Sequence, residues 1–199
     1  MSRTDRFLKR SFDILCAVCG LVTLCPIIFF CWLIAAFETR SNGFFIHRRV
    51  GRNGREIGVY KIKTMHNARG GPRSPITAHN VAALTRSGIL FRKYKLDELP
   101  QLLNVLLGSM SMVGPRPDVP TYADQLKGSD RIILKLRPGI TGPASIKYQN
   151  EETLLAQTHD AVWLNDTVIW PDKVKINIAY ATHYSFAADL KYLIQTFIK

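Results

Sequence analysis

Acidic residues are unevenly spread in this chain of 199 residues: none occurs from Ile57 to Leu96. That tract carries Lys61, Lys63, Arg69, Arg73, Arg86, Arg92, Lys93 and Lys95 instead. Such a balance points to an anionic partner: nucleic acid, a lipid surface or phosphorylated small molecules. Over the whole chain 27 Lys and Arg stand against 15 Asp and Glu, a formal +12. Cysteine is missing beyond Cys31. All four, Cys16, Cys19, Cys25 and Cys31, share one apolar stretch, a poor layout for a disulfide framework. Cys16 and Cys19 form a CxxC, but no second pair or nearby His completes a zinc set. They read as small apolar side chains, in a chain whose globular part sees a reducing compartment. Internal repeats and low-complexity tracts are absent as well. The length allows one ordinary domain, or a modest domain with a membrane element.

Charge is absent from Ile14 to Phe37 (ILCAVCGLVTLCPIIFFCWLIAAF). At 1.5 Å per residue a helix of this length reaches across a hydrocarbon core of about 30 Å. No small-residue cleavage site follows, so a signal peptide is a poor fit. Two features oppose a simple span. Pro26 lies mid-run, lacks an N–H and clashes with the preceding turn. Both flanks are basic: Arg3, Arg6, Lys9 and Arg10 before; Arg40, Arg48, Arg49, Arg52 and Arg55 after. The positive-inside bias asks both ends to stay cytoplasmic, which a helix that enters, bends at Cys25-Pro26 and returns satisfies. A kinked spanning helix is the alternative. The expected division is therefore a re-entrant membrane helix over 1–39 and a cytosolic domain over 40–199.

The rest of the chain reads as a mostly helical α+β domain. Two short strands, 44–48 and 57–63, flank a turn at Asn53-Gly54. Residues 66–88 read as a Gly/Pro/Ser-rich loop that ends in a short helix. Helices are expected over 97–107 and 121–126, with rigid Pro/Gly connections at 108–120 and 136–144. The last stretch, 176–199, reads as helix; its aromatics suit either a headgroup-level interface or the core of a small domain.

The acid-free tract ends abruptly at Asp97-Glu98, in RKYKLDELPQLLNVLL. As plain helix chemistry, Leu99, Leu102, Leu103 and Leu106 recur at helical spacing, Pro100 suits a first turn, and acids there cap free N–H groups. Taken in order, KRSFDI, a Pro-interrupted apolar run, YKIKTM, LDELPQLLNVLLGSMSMVGPRP, LRPGITG and DLKYLIQT say more. Over nearly the whole chain they resemble the monotopic phosphoglycosyl transferases, the bacterial sugar transferases, at their minimal size. LDELPQ followed by GPRP is the specific part.

That resemblance implies transfer of a phospho-sugar from a nucleoside diphosphate sugar, usually a UDP-sugar, to polyprenol phosphate at the cytoplasmic face of the bacterial inner membrane. It implies Asp97 as nucleophile, Glu98 beside it, Mg²⁺ held by Asp97 and Glu98, and a re-entrant helix bent at Cys25-Pro26. Lys63, Arg92 and Arg116 match the family's motifs as phosphate-binding residues, with Pro115 and Pro117 fixing where Arg116 points. Basic surroundings and a helix start are expected to keep Asp97 ionised. Membrane lipid is an expected partner and nucleic acid is not, since no recognised nucleic-acid motif appears. Two departures stand out. Cys25-Pro26 replaces the Ser-Pro of many relatives, so the bend rests on Pro26 without a hydroxyl. After RPGITG the chain reads PASIKYQNEE where many relatives have LAQVNGR, making that loop a candidate for nucleotide or sugar contacts. The alternatives are a membrane-anchored, non-enzymatic binder of anionic lipid or nucleic acid, and a metal-dependent phosphodiesterase.

Overall fold

Helix α1 (Arg3–Thr39) carries the apolar run and opens with a capping box, Ser2 accepting from the Asp5 amide and Asp5 from the Ser2 amide. In this computed structural model, which describes residues 1–66 and 83–198, α1 continues through Pro26 as one helix. It is the one helix among the described residues long and apolar enough to cross a membrane. One proline removes a single backbone donor, and the turns on either side keep the rest of the ladder. A hydroxyl does lie near the proline, at Thr23, which returns its hydrogen to the Cys19 carbonyl at 2.8 Å. Such back-bonding bends helices.

Strands β1 (Phe44–Val50) and β2 (Glu56–Ile62) form an antiparallel hairpin in register Phe44↔Ile62 through Val50↔Glu56. The 3₁₀ turn Arg52–Gly54 joins them, with Asn53 at φ 59° and Gly54 at φ 74°, the left-handed values this dipeptide tolerates. The expected loop at 66–88 falls mostly outside the described residues, and its last residues enter α2 (Arg86–Lys93), capped by Thr85.

The helix expected from residue 97 starts later. Lys95 turns the chain at φ 57°, residues Leu96–Glu98 form a 3₁₀ turn, and α3 spans Gln101–Leu107. Neither acid caps α3: its N-cap is Pro100, with no side-chain cap hydrogen bond. The capping role expected of the Asp-Glu pair is thus not taken up, because the extra 3₁₀ turn puts Leu99-Pro100 between the acids and the helix.

Beyond α3, β3 (Ser111–Val113) pairs in parallel with β4 (Gly139–Thr141), so the GPRP and RPGITG motifs meet. A Cβ at Gly139 would overlap the Gly114 amide, which explains why both positions are glycine. Helix α4 (Pro120–Ala123) and the 3₁₀ turns of Gly128–Lys135 connect the two strands. The PASIKYQNEE stretch is not a loop. It forms α5 (Pro143–Lys147) and the start of α6 (Glu151–Ala156), with Lys147 and Tyr148 both bonded to Asp172. Helix α7 (Ala161–Leu164) leads through a π turn, Asn165–Ile169, into α8 (Trp170–Thr182). The single C-terminal helix expected over 176–199 is two helices, α8 and α9 (Phe186–Phe197), because Ser185 caps a new start on the Ala188 amide.

Both ends of α1 belong to the core. Ala17 packs with Val59, Val105 and Met110; Cys31 and Ala35 pack with Ile62 and Phe91. Between them, Val22, Ile27, Phe29 and Phe30 are exposed.

Candidate active site

The hairpin and the 3₁₀ turn ahead of α3 bring Lys61 and Glu98 together. Lys61 Nζ donates to Glu98 Oε1 at 2.8 Å. From the GPRP loop, the Arg116 guanidinium straddles the same carboxylate, Nη2 to Oε1 at 2.5 Å and Nη1 to Oε2 at 3.3 Å. Burial alone would raise Glu98, but Arg116 and Lys61 hold it well below the usual carboxylate range. Glu98 in turn holds the Arg116 guanidinium in its charged form. Burial pulls Lys61 below the usual ammonium value, and Glu98 opposes that pull.

Asp97 is only 6% exposed, and its Oδ1 is buried without a hydrogen-bond partner. Burial raises its pKa; Lys61 lowers it and Glu98 raises it further. Burial thus outweighs the basic surroundings that were expected to favour the ionised form, since the carboxylate sits too deep for the charges around it to offset desolvation. An unpaired buried carboxylate oxygen is costly, and Asp13 Oδ2 on α1 shares that condition.

The other expected residues divide. Arg92 Nε donates to the buried Thr64 hydroxyl at 3.0 Å, and its charge acts on Asp97. Lys63 lies just past the end of β2, where its Nζ donates to Ser41 Oγ at 2.7 Å. Cys25 and Pro26 lie on the exposed middle of α1, away from the carboxylates. Of the two lysines in KIK, Lys61 is the one paired with Glu98. Its signal in the sequence was its place inside a strand, with Val59 two residues back packing into the core.

Further cations and one more acid adjoin the site. On β1, Arg49 Nη2 lies 3.3 Å from His47 Nδ1. Burial, with Arg49, Lys61 and Arg116 close by, lowers His47 to about 4, so the imidazole is neutral at physiological pH. Asp118, two residues past Arg116, is pushed by burial to about 6 against the pull of Lys173, Arg49 and Arg116. Nothing in the sequence separated Arg49 or Asp118 from ordinary surface charges.

A desolvated carboxylate beside a lysine and an arginine fork suits chemistry on phosphorylated groups. The family described as bacterial sugar transferase matches residues 4–199, and the chain belongs to that family. It is a transferase. It is 33% identical to the sugar transferase EpsL of Bacillus subtilis over 95% of this chain and 85% of that protein. The UDP-glucose:undecaprenyl-phosphate glucose-1-phosphate transferase of Escherichia coli is 32% identical over the full chain, which covers 41% of that longer protein. The undecaprenyl-phosphate galactose phosphotransferase of Salmonella typhimurium is 32% identical over 85% of this chain and 39% of its own length.

Proposed function

We propose that the chain transfers a sugar phosphate from a nucleoside diphosphate sugar, in particular a UDP-sugar, to polyprenol phosphate through a phospho-sugar carried on Asp97. The observation that carries this reading is the buried, unpartnered Asp97 Oδ1 next to the Lys61–Glu98–Arg116 set. An oxygen of the Asp97 carboxylate attacks the donor's sugar-bearing phosphorus, the bond to the bridging diphosphate oxygen breaks, and UMP leaves with that electron pair. A polyprenol phosphate oxygen then attacks the aspartyl phosphorus, the acyl-phosphate P–O bond breaks, and Asp97 is restored as a carboxylate. Its desolvation makes the ionised oxygen reactive, and the Lys61 charge favours that ionised form. Arg116 suits bidentate contact with phosphate oxygens, and Glu98 holds its fork oriented until they arrive. The names of the relatives, which include undecaprenyl-phosphate sugar phosphotransferases, support the acceptor.

Mg²⁺ fits these residues. No group of three or more His, Cys, Asp or Glu gathers among the described residues. Mg²⁺ commonly takes one or two carboxylates and fills its shell with substrate phosphates and water. Asp97 would hold it through the unpartnered oxygen, with Glu98 offering the lone-pair capacity left on Oε2. When bound it would offset charge on the phosphates and on the leaving nucleotide.

The same reading sets α1 as a re-entrant helix at the cytoplasmic face of the bacterial inner membrane, with residues 40–199 as the cytosolic domain. Ala17 and Cys31 are fourteen residues apart, about 21 Å along a straight helix. Their clusters meet β2 at Val59 and Ile62, three residues and only about 10 Å apart. A helix bent near Pro26 relieves that mismatch and leaves its apolar middle to the lipid. Ile89 and Leu90 on α2, Tyr94 just after it, and Leu103 and Leu107 on α3 are exposed apolar side chains suited to an interface.

The test is to incubate the protein with sugar-labelled UDP-sugar and Mg²⁺ without acceptor, quench, and map the label. Label on the peptide carrying Asp97, absent from Asp97→Asn, supports the reading. Label on another residue overturns the assignment.

A further inference from the structure

We infer that Asn104 is a positioning residue for Lys61: its side-chain amide acts as a one-residue strand that fixes β2 against α3. This rests on the transfer reading above and adds a residue that reading does not use. Among the described residues the β1–β2 sheet has two strands, and none of them lies against the outer edge of β2. Asn104, on α3 and 2% exposed, occupies that edge. Its Oδ1 accepts from the Tyr60 amide at 2.9 Å, and its Nδ2 donates to the Gly58 carbonyl at 2.7 Å. Donating to residue i−1 and accepting from i+1 is how a residue of a parallel strand addresses its neighbour, so the side chain does a backbone's work.

The amide is itself braced. Nδ2 also donates to Ser109 Oγ at 3.1 Å, and Ser109 Oγ returns a hydrogen bond to the Asn104 carbonyl at 3.1 Å. The consequence lies in what each partner leads to. Tyr60 precedes Lys61 directly, while a hydrogen-bonded turn runs from Glu98 through Leu99 and Pro100 into α3. Asn104 therefore ties the strand bearing Lys61 to the helix that follows Glu98. Arg116 reaches Glu98 from a different loop and is not held by this tie. Loss of the amide should loosen the Lys61 side of the site and leave the Arg116 side in place.

The experiment is a double-mutant cycle on the rate of transfer, with Asn104→Ala, Lys61→Met and both together. Val105→Ala serves as control: it opens a cavity in α3 beside Asn104 and leaves the β2 edge amide intact. Asn104→Ser, which retains a hydroxyl near the Gly58 carbonyl, replaces the alanine variant if that fails to fold. Asn104→Ala should slow transfer about tenfold or more, and the double variant should be no slower than Lys61→Met, within about threefold. Val105→Ala should add to Lys61→Met independently. A readout free of turnover accompanies the cycle: acylation of the Lys61 amine, followed by mass spectrometry, should speed up in the Asn104 variant and not in Val105→Ala. Additive losses, or unchanged Lys61 labelling, overturn the inference. A wild type without transfer overturns the transfer reading instead, and the labelling result still decides the role of Asn104.

Discussion

As the proposed nucleophile, Asp97 combines two properties that oppose each other: attack requires the ionised form, and it sits where ionisation is costly. Its folded pKa lies above the ordinary 3.8, so the folded chain holds that proton more tightly than the unfolded chain does. At pH values above both, the buried charge weighs against folding. Asp97→Asn should therefore abolish transfer, by about 10³-fold or more, while raising the melting temperature by about 2 °C at neutral pH. The rate of the wild type should also fall off in acid above the usual aspartate range. Asp118 gives a cleaner pH signature. With its folded value at about 6, it is a group whose burial favours the protonated form, so wild-type stability drops as pH rises through that window and then levels. The gap in melting temperature between Asp118→Asn and wild type should be small near about pH 4.5 and larger near about pH 7.5. Equal gaps at both would show that Asp118 ionises freely.

At the scale of elements, α1 is where local and tertiary forces meet. Pro26 and the Thr23 back-bond weaken the helix at its middle, and the core draws in both ends through Ala17 and Ala35. In a background with Cys16, Cys19 and Cys25 replaced by alanine, Cys31 is a buried reporter of that packing. Pro26→Ala should straighten the helix and expose Cys31 to a membrane-permeable maleimide; unchanged protection would show that packing alone sets its course. The hairpin and its Asn53-Gly54 turn were legible because alternation and turn chemistry are local. The start of α3 was not. The leucine spacing already begins at Leu99, ahead of the helix, and only the left-handed Lys95, the 3₁₀ turn after it and the placement of Pro100 shift the start of α3 to Gln101. Likewise Asp97, Glu98 and Arg116 were visible through their motifs. Lys61 was passed over for Lys63, because which lysine of KIK reaches Glu98 depends on where β2 ends and on contacts from α3.

At the scale of the whole molecule, the N-terminal KRSFDI motif turns out to fasten α1 to the GPRP side of the site. Asp13 accepts from Ser111 Oγ and the Met112 amide, and Arg10 caps the Val105 and Leu106 carbonyls at the end of α3. Lys9 donates to the Val113 carbonyl at 2.8 Å and to Asp189 at 2.5 Å, while Tyr180 and Tyr184 donate to the same carboxylate. Residues far apart in sequence thus share one buried pair, with Lys9 12% and Asp189 2% exposed. Lys9→Met would leave Asp189 charged and buried beside two tyrosines, at a cost of about 3–5 kcal/mol. The melting temperature should fall by roughly 10 °C. A loss of only a degree or two would place this network outside the stabilising core.

In the proposed mechanism the sugar phosphate waits on Asp97 between two half-reactions. The most direct measurement follows exchange of labelled UMP into unlabelled UDP-sugar in the presence of Mg²⁺ and without polyprenol phosphate. Exchange in the wild type, lost in Asp97→Asn, is the predicted result, because UMP can re-enter only by attacking a phospho-sugar already held on the enzyme. Full transfer to polyprenol phosphate with no exchange in its absence would contradict it, and would make the acceptor the attacking group.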